Sequence, residues 1–167
     1  MSELIEKLST YNIFNFLLPG TVFTVLSNYF AGVSFVQNDI LVGAFFYYFI
    51  GLVISRIGSV IVEPVLIFCR VVKFEKYDRY LQASKLDEAL SMHSETNNMF
   101  RTFVSVFMCL GLLKIYKSSV VGDFVSPGNM SLSLLIGGGL LFVFAYRKQT
   151  QYITKKIRKQ LDGKRDE

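Results

Sequence analysis

Apolar residues in this chain come in long, nearly unbroken blocks, not in the alternation of a half-buried strand or the one-sided stripe of a surface helix. The clearest block runs from Ile40 to Val62, is closed by Glu63 and Pro64, and holds a single charged residue, Arg56. A bilayer core about 30 Å thick takes about 20 apolar residues in a helix, and this block is long enough to cross it. Three other stretches read the same way, and the pattern predicts an all-α integral membrane protein: a four-transmembrane-helix bundle with spans at 13–36, 40–62, 99–117 and 130–146.

The breaks between blocks add detail. Pro19 lacks a backbone donor and its ring crowds the carbonyl four residues back, so a kink is expected near Leu17 to Gly20, with Asn15 close enough to help the freed carbonyl. Only Gln37, Asn38 and Asp39 separate the first two blocks, which makes them antiparallel neighbours. Residues 70–98 form the one sizeable polar region and predict a small cytoplasmic helical cap. Within it, Ser84-Lys85-Leu86-Asp87 has the form of a helix N-cap with acid in the first turn, ahead of a helix over 85–92. Ser94 and Glu95 are then placed to cap the next helix. Near the start, residues 2–9 set Leu4, Ile5 and Leu8 against Glu3, Glu6 and Lys7, as in a short helix lying on a membrane surface.

Ser126-Pro127-Gly128-Asn129 predicts a turn before the last block, whose middle carries Gly137-Gly138-Gly139 as a close-packing patch or a hinge, with packing favoured. The tail 147–167 carries eight Lys or Arg against three acids and suits anionic lipid headgroups. Without repeats, low-complexity tracts or linkers, the expectation is one domain over 1–167.

Composition agrees with the pattern, since 51% hydrophobic content and sixteen Phe are too apolar for a soluble domain of this size. The net charge of +5 does not form a stripe on a polar fold, which argues against direct nucleic-acid binding. With both termini cytoplasmic, every Lys and Arg except Lys114 and Lys117 lies at or inside the inner face, as the positive-inside rule asks. Glu3 and Glu6 offset Lys7, so the first block is read as a retained segment and not as a cleaved signal. Cys69 and Cys109 lack metal-like spacing and His93 is the sole histidine, so no metal, cofactor or catalytic centre is predicted.

The candidate chemistry centres on Arg56, which lies roughly 24 Å below Ile40 on an ideal helix. Asn12 and Asn15 reach that depth from the first span, Asn97, Asn98 and Arg101 from the third, and Glu63 lies two turns away on the same helical face. Two readings stay open: Arg56 snorkels to headgroups, or it joins Glu63 and the asparagines in a membrane polar network. Gly51, Ser55 and Ser59 recur every fourth residue, with Gly58 widening the groove. With Gly137, Gly138 and Gly139 they predict close helix packing and a homo-oligomer.

The strings Tyr11-Asn12-Ile13-Phe14-Asn15-Phe16-Leu17-Leu18-Pro19-Gly20, Tyr48 through Gly58 with Glu63-Pro64, and Glu95-Thr96-Asn97-Asn98 with Arg101-Thr102 resemble a group of small bacterial multi-spanning inner-membrane proteins. Such proteins accompany anti-phage systems as sensors or membrane-disrupting effectors. The resemblance implies an inner-membrane sensor or membrane-perturbing effector in a bacterial defence or stress-response system. Its partners would be membrane lipids, its own copies, and a cytoplasmic protein or small signal. Alternatives are a small channel or transporter using Arg56 and Glu63, and a passive anchor for a soluble partner.

Overall fold

The computed structural model describes residues 13–121 and 130–162, and its regular structure is entirely helical. Helix α1 is a π turn, Ile13–Leu17, running straight into Leu18–Ala31. Helix α2 spans Ile40–Phe68 and consists of Ile40–Ile57, a π turn at Gly58–Val62, and Glu63–Phe68. Helices α3, α4 and α5 are Tyr77–Ser84, Ala89–Val121 and Met130–Asp162. Two stretches are long and apolar enough to cross a membrane, Ile40–Phe68 and Ala89–Lys117.

Pro19 and Pro64 each stand two residues after a five-residue π turn. A proline inside a helix needs the carbonyl four residues back to move aside, and a widened turn moves it without breaking the rod. The kink expected from Pro19 is therefore taken up as a π turn, and Pro64 repeats the device.

Helices α1 and α2 meet backbone to backbone. A Cβ on Gly20 would fall 1.8 Å from the Tyr47 carbonyl oxygen, and one on Gly51 would fall 1.8 Å from that of Phe16. Helix α1 ends at Ala31, short of the expected residue 36, because Gly32 takes up φ 63° and turns the chain. The buried Ser27 hydroxyl lies 2.8 Å from the Thr24 carbonyl and 2.9 Å from that of Val33, tying the extended segment after Gly32 to the helix. Phe35 then stacks on Phe23 with ring centroids 6.0 Å apart, and the Gln37 N–H donates to the Tyr47 hydroxyl at 3.0 Å. Asp39 starts α2 by accepting from the Val42 N–H at 2.8 Å.

The main core joins Phe30 of α1, Ile54 of α2, Val106 and Leu110 of α4, and Leu135 of α5. A second core, in the cap, joins Ala83 of α3, Leu90 of α4, and Ile153 and Ile157 of α5, with Tyr80 and Leu161 alongside. Here the boundaries depart from the sequence expectation. Ser84 closes α3 instead of opening a helix, and the capping group is Asp87, whose carboxylate accepts from the Ala89 N–H at 2.9 Å. Helix α4 runs through Ser94 and Glu95 without interruption. The expected helix over 85–92 and the third span are thus one rod, because Leu90 is held in the cap core while Val106 and Leu110 are held in the main one.

Helix α5 likewise crosses Gly137 to Gly139 unbroken and continues through the basic tail to Asp162. Each interior glycine costs about 1 kcal/mol of helix propensity, which packing at Gly138 offsets: a Cβ there would lie 2.4 Å from Phe107 Cε1. The amphipathic start at 2–9, Asn12, the turn at 126–129 and residues 163–167 fall outside the described residues.

Ion pairs belt the cap together. Arg79 binds Asp162 at 2.8 Å, Lys156 binds Asp87 at 2.7 Å, and Arg158 binds Glu75. Arg158 and Arg79 hold the Glu75 carboxyl below its usual range, and Lys156 does the same for Asp87. A depressed carboxyl pKa stabilises the fold above the unfolded-state value, and that stabilisation is lost as pH falls through the folded-state value. Protection factors of α3 amides, that is, exchange corrected for its intrinsic pH dependence, are therefore expected to fall on acidification below the carboxylate range, and with added salt, while amides around Val106 and Leu110 stay protected.

Candidate functional site, a polar cluster where three helices meet

Helix α4 presents polar groups at a helical period: Asn97, Arg101 and Ser105 on one row, Asn98 and Thr102 beside it. One residue per turn keeps these on the inner face, and α2 and α5 close over them. Arg101 Nη1 donates to Glu63 Oε2 at 2.6 Å, and the hydroxyl of Tyr146, on α5, donates to the same oxygen at 2.9 Å. The two charged side chains are only 14% and 27% exposed, and Tyr146 is fully buried. One turn further along α5, the Thr150 hydroxyl lies 2.8 Å from the Tyr146 carbonyl and 3.1 Å from Asn97 Oδ1, sharing its proton between them. On the other flank the Thr102 hydroxyl reaches Ser55 Oγ at 3.3 Å.

The π turn explains which charge Glu63 meets. In an uninterrupted α-helix, seven residues bring Glu63 back to the Arg56 face. The π turn lies between them and shifts the phase by about a quarter of a turn. Glu63 consequently faces Arg101, and Gly58 lies under Ser105, where a Cβ would meet Oγ at 2.7 Å. Arg56 remains exposed, and its side chain has no hydrogen-bonding or ion-pair partner among the described residues.

The residues expected to form one network therefore separate. Glu63, Arg101 and Asn97 come together; Asn98 contributes its carbonyl, which accepts from the Thr102 hydroxyl at 2.9 Å. Asn15 is buried on the π turn of α1, and Asn12 lies outside the described residues. Sequence reasoning missed Tyr146, Thr102 and Thr150. Their signal was the spacing of four, Asn98 to Thr102 and Tyr146 to Thr150, at the edges of apolar runs.

The small residues divide as well. Gly51, Ser55 and Gly138 face neighbours within the chain, and Gly139 touches Phe107 at 3.4 Å. Ser59 donates back to the Arg56 carbonyl at 3.1 Å, and Gly137 is exposed with open space at its Cβ position.

The arrangement holds one acid, one base and a phenol in a neutral, largely buried set, and links them to the cap through Asn97 and Thr150. Such a cluster fixes helix register, since separating its members strands a charge. Compared with family models, curated proteins and solved structures, the chain matches none.

Arg56→Leu is expected to leave stability within about 0.5 kcal/mol of wild type, because no group inside the chain loses a partner. Thermal unfolding of the purified protein in detergent checks this, and a loss comparable to that of Arg101→Met would count against the pairing described.

Proposed function

We propose that the chain is a multi-pass inner-membrane protein, with α1, α2, and the apolar parts of α4 and α5 as its four spans and both termini cytoplasmic. In this reading it works as a sensor or effector whose cytoplasmic cap and membrane bundle move as one piece. The observation that carries it is mechanical: α4 and α5, 33 residues each, pass unbroken from the main core into the cap. Each rod is about 50 Å long, more than a bilayer core needs. The Glu63, Arg101 and Tyr146 cluster pins them together between the two cores.

A signal received at the cap then reaches the bundle by displacement of two stiff helices, with the neutral cluster as the register that shifts or holds. The proposed setting is a bacterial defence or stress response, on the resemblance given above. Self-association is proposed through the outward small residues Ser59 and Gly137, because Gly51, Ser55 and Gly138 are occupied within the chain.

Reporter fusions after Asp39 should read as external, and those after Arg79 as internal. The functional part is tested by Tyr146→Phe, which removes one donor from Glu63 and leaves the ion pair. In a phage-challenge or membrane-potential assay the variant should insert normally and lose response. Wild-type response at wild-type expression would sink the coupling.

A further inference from the structure

The outward face of α2 carries a row of exposed apolar side chains, Val42, Phe45, Phe49, Val53 and Val60, and Arg56 stands in the same row. Spacings of three and four keep these six on one side of the helix. Gly51, Ser55 and Gly58, on the other side, meet α1 and α4. Arg56 is the one polar residue of the row, and its guanidinium has no partner among the described residues.

A cation on an apolar face that crosses a membrane is costly until it meets an opposite charge, so its acceptor has to be brought to it. A second copy is a poor source. A two-fold axis running alongside this row would bring Arg56 toward Arg56, and the apolar blocks at 13–36, 40–62, 99–117 and 130–146 contain no Asp or Glu. Glu63, the one acid of α2, is held by Arg101 and Tyr146. Depth favours lipid instead. Arg56 lies roughly 24 Å along the helix from Ile40, and a hydrocarbon core of about 30 Å ends about four residues further on. A phosphate at that boundary is within reach of a snorkelling side chain.

We infer that Arg56 binds the phosphate of an anionic phospholipid in the inner leaflet, with the lipid's acyl chains lying along Phe49, Val53 and Val60. The planar guanidinium offers parallel N–H donors to two phosphate oxygens. A zwitterionic lipid carries its own ammonium beside the phosphate, which competes with Arg56, so headgroups of net negative charge are preferred. The inference rests on the multi-pass reading, and it turns this row toward lipid and away from a second copy.

The chain has no Trp, so Val53→Trp places a single indole one turn from Arg56 on the same row. The full-length variant is reconstituted in vesicles of phosphatidylcholine and phosphatidylglycerol, with one or the other brominated in its acyl chains, and quenching gives their relative affinity at this face. Phosphatidylglycerol should be preferred roughly two- to five-fold, the range of an exposed ion pair. Adding Arg56→Gln should remove most of that preference, and Arg56→Lys should keep part of it. Equal quenching by both lipids, a preference unchanged in Arg56→Gln, or competition by inorganic phosphate at constant ionic strength would overturn the site and leave the spans in place. An indole quenched by aqueous iodide and by neither lipid would overturn the multi-pass reading and the site together. One shielded from iodide and from both lipids would put a second copy on the row and equally overturn the site.

Discussion

Gly51→Ala is expected to be among the most damaging single substitutions in the chain, destabilising it by about 3 kcal/mol or more. The added methyl would sit 1.8 Å from the Phe16 carbonyl oxygen and 3.1 Å from the Gly20 nitrogen, so the obstacle is backbone and cannot rotate away. Helices α1 and α2 must separate, and the core formed by Phe30 and Ile54 loosens with them. Gly137→Ala is the matched control. Its Cβ enters open space, and relief of glycine's helix penalty should stabilise by about 0.5–1 kcal/mol. Unfolding midpoints of the two variants in one detergent should move in opposite directions; parallel shifts would contradict the described contact.

The second large effect is at the ion pair. Arg101→Met leaves the half-buried Glu63 with only the Tyr146 hydroxyl, and a loss of about 2 kcal/mol is expected. Glu63→Leu strands Arg101 in the same way. The double variant removes both charges together and should be less destabilised than the sum of the singles, with a coupling of about 1–3 kcal/mol. Unfolding of the four proteins closes this cycle, and additivity within about 0.5 kcal/mol would mean that Glu63 and Arg101 do not act as a pair.

The helical character of the chain and the existence of α2 were legible, because a 23-residue apolar block admits little else. The partner of Glu63 was not. Counting seven residues from Arg56 assumes an α period throughout, and nothing local in Gly58-Ser59-Val60-Ile61-Val62 announces a π turn; the clue was Pro64 just beyond it. The small-residue row on α2 correctly marked a close approach, but sequence cannot say whether the neighbour is the same chain or another. Gly51 meets Phe16 of its own chain. In the cap, good local capping residues misled: Ser84 and Ser94 both have the chemistry to start a helix, yet Leu90 and Asn97 are both drawn inward and keep α4 whole. The burial of Asn97 against Thr150 needed α5 in place, since those positions are 53 residues apart.

The π turn in α2 also bears on how this chain tolerates length changes. Removing one residue from Gly58–Val62 would restore an ordinary α-helix and leave Glu63 facing Arg101, because the π turn is what absorbs the extra residue. The cost would fall on Pro64, whose ring would then crowd the carbonyl four residues back. A one-residue deletion in the regular part of α2, between Gly51 and Ile57, has no widened turn to draw on and would rotate Glu63 away from Arg101 by about 100°. Two deletions that hydropathy cannot tell apart should therefore differ sharply, the one inside the π turn being the milder.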